Sequence, residues 1–139
     1  MSRLYSTKEA AEASGVALET VRYYCKINLV PRVRRDENNY RVFDDHDIAW
    51  LKGLHCLRDC GMGIEQMRHY MELCLQGEES IPEREVMLIA QRQVVEDKIA
   101  LLKEMLGFID SKMEFYAGVR SGEIEYQSSL LAPVSSETT

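Results

Sequence analysis

Two stretches of this sequence decide its fold: Thr20-Val21-Arg22-Tyr23-Tyr24 and Asn39-Tyr40-Arg41. The first lies in a predicted helix and the second in a predicted hairpin. Arginine supplies a rigid fork of donors for phosphate or guanine, and tyrosine adds a hydroxyl on a stiff ring. Because a helix can enter the major groove while a hairpin contacts flanking phosphates, the two stretches predict a surface that binds double-stranded DNA.

Capping signals place the first stretch in a helix-turn-helix. Ser6 and Glu9 form a capping box that opens a helix over about 7–13, and Ser14-Gly15 breaks it. The second helix is predicted from about 18 to 27, with Asn28 as a left-handed cap. Two short helices joined by a tight turn that contains glycine are typical of this motif.

The following residues predict a wing and two supporting helices. Residues 32–43 alternate around the turn Asp36-Glu37-Asn38-Asn39, where asparagine tolerates positive φ. Asp44 is the predicted cap of a third helix over about 45–59, and a fourth follows over about 64–75. Their apolar stripes are assigned to the core, with Trp50, Leu51, Leu54 and Leu57 in the third helix and Met67, Met71 and Leu75 in the fourth.

A long helix is predicted over 82–116, begun by Pro82. Its apolar positions recur with alternating spacings of three and four residues, which is the seam of a coiled coil. Since a single chain of this size has no other element of that length, we expect the seam to pack on a partner helix. The predicted dimerisation residues are Leu88, Val95, Ile99, Leu102, Leu106, Ile109 and Met113.

The chain thus divides into three predicted parts. Residues 1–76 form a winged helix-turn-helix head, 82–116 a dimerisation helix, and 117–139 a mostly disordered tail. The predicted fold class is mainly α.

Composition limits the possible classes. The chain has 139 residues, of which 45% are hydrophobic and 29% charged, as in a folded soluble protein. No apolar run has the length of a membrane span, and no leader opens the chain, so we expect a cytoplasmic protein that has no membrane partner. The four cysteines lie in predicted helices, which favours reduced thiols.

The net charge of −6 is unevenly distributed. Residues 1–76 carry 11 basic and 11 acidic side chains, whereas 77–139 carry 6 and 12. Within 22–41, six basic residues stand against two acidic ones. Because the local field decides phosphate affinity, the overall acidity does not oppose DNA binding.

The order of these motifs resembles the MerR family of bacterial transcription regulators. The quoted stretches, together with Leu29-Val30-Pro31 and Cys60-Gly61-Met62-Gly63-Ile64-Glu65, carry the resemblance over about residues 3–116. It implies a homodimer joined by an antiparallel pair of long helices. It also implies that the dimer binds a promoter palindrome and distorts the spacer DNA for RNA polymerase in response to an effector.

The resemblance also implies which residues contact DNA. These are Thr20, Arg22 and Tyr24 in the recognition helix and Arg35, Tyr40 and Arg41 in the wing. Tyr23 is assigned to the core. Glu19 departs from the family pattern, because an acid at the start of the recognition helix repels phosphate while favouring the positive helix end.

The effector is expected to act on a thiol. The segment Gly53-Leu54-His55-Cys56-Leu57-Arg58 resembles the subgroup that responds to aldehydes and other electrophiles through one cysteine of the third helix. Cys56 matches that position, and nearby cations favour the reactive thiolate. The alternative is that Cys56 is a small apolar side chain without a sensing role.

Other functions stay open at this stage. The chain is alternatively an architectural winged-helix DNA binder without a covalent effector, or a regulator that binds a small ligand noncovalently. A thiol-dependent enzyme needs a base and an oxyanion site beside the thiol, and the sequence offers neither, so no enzyme is predicted. The histidines show no ligand spacing with the cysteines, so we expect no metal site and no cofactor.

Overall fold

The computed structural model describes residues 3–131. It confirms a mainly helical fold with a two-stranded wing and a long final helix. The elements in chain order are α1 (Thr7–Ser14), α2 (Leu18–Lys26), β1 (Arg34–Arg35), β2 (Arg41–Val42), α3 (Asp45–Asp59), α4 (Ile64–Gln76) and α5 (Ile81–Ser121), with a 3-10 turn (Glu78–Ser80) before α5. Within this range, no helix combines the length and apolar character that crossing a bilayer requires.

The helix-turn-helix forms as its capping residues predict. The Ser6 side chain accepts from the Glu9 N–H, and the Glu9 carboxylate accepts from the Ser6 N–H, which completes the capping box. Gly15 ends α1 at a φ of 73°, in the left-handed region. Asn28 takes a φ of 61° just after α2, which confirms its predicted conformation.

The wing is a short antiparallel hairpin, and the side chain of Asp36 stabilises its turn. Arg34 pairs with Val42, and Arg35 with Arg41. The Asp36 carboxylate accepts from the N–H groups of Asn38 and Tyr40, both at 2.9 Å.

A contact that the sequence did not indicate connects the wing to the start of the chain. The Tyr5 N–H donates to the Phe43 carbonyl at 2.7 Å, and the Phe43 N–H donates back at 2.8 Å. Tyr5 therefore extends the hairpin by one bridge, directly before α1.

The core lies between α1, α2, α3 and the start of α4. Leu51, Leu54 and Met67 are almost fully buried there, as predicted. Trp50 packs at the core margin, and its indole N–H donates to the Leu29 carbonyl at 2.7 Å. The prediction for Leu75 is wrong: its side chain is 57% exposed in this chain.

Two adjacent tyrosines differ in burial, and the prediction that Tyr23 lies in the core is wrong. Tyr24 is 1% exposed and belongs to the core, whereas Tyr23 is 48% exposed. Adjacent helical residues point about 100° apart, so only one of them can face the core. The hydrophobic stripe of Val21 and Tyr24, spaced by three residues, is the one that packs inward. A DNA contact by the Tyr24 ring therefore conflicts with its burial.

The long helix extends beyond its predicted bounds of 82–116, from Ile81 to Ser121. At about 1.5 Å per residue it is about 60 Å long. Residues 117–121, assigned to the disordered tail, are thus helical, and residues 132–139 of that prediction lie outside the described residues. By its contacts the chain falls into two compact units, Met1–Glu96 and Asp97–Thr139.

A polar cluster attaches the start of α5 to the end of α4. The buried Ser80 hydroxyl is bonded to the carbonyls of Leu73 and Gly77. The Arg84 Nε donates to the same hydroxyl at 2.9 Å, and its Nη2 donates to the Gly77 carbonyl. These bonds satisfy carbonyls that the end of α4 leaves without helical partners.

In the second unit, α5 ends in a Schellman motif. The Glu123 N–H bonds to the Gly118 carbonyl at 3.0 Å and the Gly122 N–H to the Val119 carbonyl at 3.1 Å, with Gly122 at a φ of 86°. The Ile124 side chain packs so closely on Gly118 that a Cβ there would lie 2.3 Å from it. The chain therefore turns back at residue 122.

We predict that Asp44→Ala destabilises the N-terminal unit by about 1 kcal/mol. The Asp44 carboxylate accepts from the Asp47 N–H at 2.9 Å, and this bond lowers the pKa of Asp44. The cap's contribution to the free energy of unfolding is therefore fully present above pH 3.8, the ordinary pKa of an aspartate. It is lost as the pH falls below 3.8 and passes through the lowered pKa that Asp44 has in the folded protein. Urea unfolding at pH 7 and pH 3 measures both effects. Glu12→Ala, at an exposed position of α1, is the control, and an equal loss in both variants would contradict the prediction.

Candidate nucleic-acid interface

The exposed face of α2 presents Arg22 and Tyr23. The Arg22 guanidinium lies 3.0 Å from the Glu19 carboxylate, one turn earlier on the same helix. Both side chains are more than half exposed, so the pair is held weakly. Glu19 therefore keeps Arg22 oriented without removing it from solvent, and a phosphate can replace the carboxylate as its partner. Thr20, also predicted to contact DNA, is half-buried on this helix.

The wing presents a second set of donors. Arg35 Nη1 donates to the Asn39 carbonyl at 2.8 Å, so this guanidinium braces the turn. Tyr40 is largely exposed at the tip, and Arg41 is half-buried on the adjoining strand. The three wing residues predicted from the sequence therefore differ in role: Arg35 stabilises the turn, whereas Tyr40 and Arg41 are available to a ligand.

A cleft of about 350 Å³ brings the helix and wing residues together. It is lined by Arg22 from α2, by Arg35, Asn39, Tyr40 and Arg41 from the wing, and by Ser6, Thr7 and Lys8 from the start of α1. The first N–H groups of a helix lack helical partners and carry partial positive charge. Four basic side chains and a helix N-terminus thus face one space, an arrangement suited to a phosphate group.

A second cleft lies on the other side of Arg41. It measures about 540 Å³ and includes Cys25, Lys26 and Arg35 among its lining residues. Burial raises the pKa of the Cys25 thiol, and the nearby Arg41 guanidinium lowers it by less. Because the thiolate is the reactive form, the raised pKa makes Cys25 a poor nucleophile.

A third cleft, of about 390 Å³, separates α2 from the junction of α3 and α4. Glu19, Thr20, Tyr23 and Tyr24 line one side, and Arg58 and Ile64 the other. The Tyr24 hydroxyl is buried and has no hydrogen-bond partner among residues 3–131.

The predicted sensing residue, Cys56, is exposed on α3. It lies one turn before Cys60, whose N–H donates to the Cys56 carbonyl at 3.0 Å. The neighbouring His55 Nε2 lies 3.5 Å from the Asp59 carboxylate, on another face of the helix. The thiol is thus accessible to a small molecule in this chain. Among the described residues, no cluster of three or more potential metal ligands is present.

Two basic residues of this surface were not identified from the sequence. Lys8 reaches the first cleft because the Tyr5–Phe43 bridge places the start of α1 beside the wing. Arg58 reaches the third cleft from the last turn of α3. A positive residue within the Ser6–Glu9 capping box was the available signal for Lys8, whereas the place of Arg58 depends on how α3 and α2 are arranged in the folded unit.

Comparison with known proteins agrees with this geometry. The family model described as "MerR HTH family regulatory protein" matches residues 5–74. An uncharacterized HTH-type transcriptional regulator from Haemophilus influenzae is 38% identical over 112 residues, which cover 81% of this chain and 83% of that protein.

Solved structures extend the similarity into the long helix. The crystal structure of HiNmlR, "a MerR family regulator lacking the sensor domain, bound to promoter DNA", matches with a TM-score of 0.76 and 35% identity, covering 86% of this chain and 90% of that one. A putative MerR family transcriptional regulator from Listeria monocytogenes matches with a TM-score of 0.74 and 34% identity, covering 81% and 86%.

We predict that Arg41→Ala weakens binding to a random-sequence DNA duplex by about tenfold and lowers the salt dependence by about one released counterion. The reason is that Arg41 lines both clefts beside the wing. Fluorescence anisotropy titrations over a series of salt concentrations measure both quantities. Arg120→Ala, at an exposed position of α5, removes the same charge elsewhere. Equal losses in the two variants would show that net charge, not this cleft, governs binding.

Proposed function

The chain belongs to the MerR family of helix-turn-helix regulatory proteins, and on this premise we propose that it is a transcription regulator that binds double-stranded promoter DNA. The observation that carries the proposal is the cleft in which Lys8, Arg22, Arg35 and Arg41 face one space beside the α1 N-terminus. The DNA-bound structure of a regulator 35% identical supports it.

In this proposal the recognition helix α2 enters the major groove. Arg22 then exchanges Glu19 for a phosphate or a guanine edge. The exposed Tyr23 takes the contact role first assigned to Tyr24, while Arg58 binds a backbone oxygen in the third cleft. Tyr40 and Arg41 bind phosphates flanking the helix.

We further propose that the protein is a homodimer joined by an antiparallel pair of α5 helices. The predicted seam is largely uncovered in the single chain: Leu106 is 58% exposed, and Ile99, Leu102, Ile109 and Met113 are similarly exposed. A continuous row of exposed apolar side chains is unfavourable in water and marks an interaction surface. A second copy of α5 offers the same spacing in return, as an isologous interface requires.

A dimer with two DNA-binding units constrains the promoter. Two recognition helices held by a rigid coil impose a fixed half-site spacing. If that spacing mismatches relaxed DNA, the duplex must bend or untwist, at a cost on the order of a few kcal/mol. A change in the angle between the two units would then alter the spacer geometry that RNA polymerase meets. This is the proposed route to activation, and it places the protein in the cytoplasm with the chromosome.

For the effector, we propose a small electrophile that reacts with Cys56. The thiolate adds to the carbonyl carbon of an aldehyde, and the resulting alkoxide takes a proton from water, giving a hemithioacetal without any redox partner. The exposure of Cys56 supports access. Each protein molecule reacts once and is not a catalyst in this scheme.

Two alternative functions make different demands. A noncovalent effector requires a pocket, and one candidate is the cleft of about 300 Å³ lined by Trp50, Met71 and Cys74 among others. An architectural DNA binder requires no effector. Both predict an unchanged promoter response when Cys56 is replaced by serine.

We predict that Leu106→Lys converts the dimer to a monomer, because two like charges then meet apolar side chains in the seam. Sedimentation equilibrium gives the molar mass directly. Lys103→Ala, one turn earlier on α5, is the control. A Leu106→Lys protein that stays dimeric would place the interface elsewhere.

We predict that Cys56→Ser abolishes activation by an electrophile while leaving duplex affinity within about twofold, because serine removes only the nucleophilic sulfur. In vitro transcription with and without methylglyoxal measures the response. Cys74→Ser is the matched control. Equal induction of the wild type and Cys56→Ser would remove Cys56 as the sensor.

A further inference from the structure

The α5 helix carries one nearly buried polar side chain among those described. Gln91 is 8% exposed, and its side-chain amide donates to the backbone carbonyl of Cys60 with an Nε2–O distance of 2.5 Å. A carbonyl can only accept, so the amide nitrogen must face it. The bond joins the first part of α5 to the last turn of α3.

This last turn is also the location of the proposed sensing thiol. Cys60 is the C-terminal cap of α3, and its N–H donates to the Cys56 carbonyl. The backbone of Cys56 is therefore one hydrogen bond from Cys60, and Cys60 is one hydrogen bond from α5. A displacement of the Cys56 backbone is passed to the Cys60 peptide, because the two share a helical turn.

Two other side chains of α5 contact different parts of this unit. Arg84, one heptad before Gln91, bonds to Gly77 and Ser80 in the turn after α4. Met87, between them, packs against the apolar core. Arg84 and Met87 thus fix α5 to α4 and the core, whereas the Gln91 bond forms a side-chain clasp to the end of α3.

We propose that Gln91 is the positioning residue that transmits modification of Cys56 to the long helix. This rests on the proposed sensing function of Cys56. Hydrogen bonds weaken steeply with misalignment, and a buried amide left without a partner is costly. When an adduct shifts the last turn of α3, α5 therefore follows the Cys60 carbonyl. Since Leu88 and Val95 of the predicted seam lie within four residues of Gln91 on the same helix, the shift reaches the proposed dimer seam.

The test uses the full chain with Gln91→Leu, which keeps the side-chain bulk and removes the donor. N-ethylmaleimide serves as the probe, because its addition is irreversible and peptide mass distinguishes an adduct on Cys56 from one on Cys25, Cys60 or Cys74. We expect Cys56 to be alkylated at the wild-type rate and duplex affinity to stay within about twofold. The ratio of alkylated to unalkylated transcription should fall by about fivefold or more, the lower range of typical coupling between sites. Gln76→Leu, at an exposed position of α4, is the matched control and should respond as the wild type does.

The outcomes separate the two proposals. If alkylation changes transcription by Gln91→Leu as much as it changes transcription by the wild type, the proposed role of Gln91 is overturned and Cys56 stays the sensor. A wild type that is alkylated at Cys56 but does not respond overturns both. If Gln91→Leu does not fold, Gln91→Met removes the same hydrogen-bond donor and replaces it with a flexible side chain. The proposal then requires that Gln91→Met lose the transcriptional response to alkylation.

Discussion

The backbone pairing of Tyr5 with Phe43 is the contact on which the DNA-facing surface depends. Phe43 is fully buried in the core, so the strand that carries it is fixed. The bridge brings the start of α1 to that strand, and the Ser6 capping box begins the helix at once. The bridge therefore holds Lys8 and the positive end of α1 beside Arg22 and the wing. One pair of hydrogen bonds thus brings three elements to a single basic cleft of about 350 Å³.

Charge is distributed so that this cleft can act in an acidic protein. The net charge of −6 comes from residues beyond 76, while the wing and α2 are locally basic. At a Debye length of about 8 Å in physiological salt, the potential in the cleft is set mainly by the charges nearest to it. Glu19 is the acidic group that matters, because it contacts Arg22 directly. Because Glu19 already pairs with Arg22, binding favours DNA sites at which a DNA group binds Arg22 more strongly than the Glu19 carboxylate does.

Features with short-range causes could be predicted from the sequence. The capping box at Ser6, the helix cap at Asp44 and the positive φ at Asn28 follow from neighbours within four residues, and the structure confirms them. Features set by packing could not be predicted in this way. The exposure of Tyr23 and the burial of Tyr24 depend on which face of α2 meets the core, and the place of Arg58 depends on how α3 and α2 are arranged. Leu75 continued a helical stripe in the sequence but lies beyond the part of α4 that the core covers.

The proposed function requires that two copies of this chain bind a symmetric DNA site. The most direct measurement is selection of the bound sequences from a random duplex pool by the full-length protein, followed by sequencing. We expect enrichment of an inverted repeat with one fixed spacing between its half-sites, since the proposed antiparallel pair of α5 helices would hold the two recognition helices at one separation. Enrichment of a single half-site without symmetry, or of no sequence at all, would contradict it.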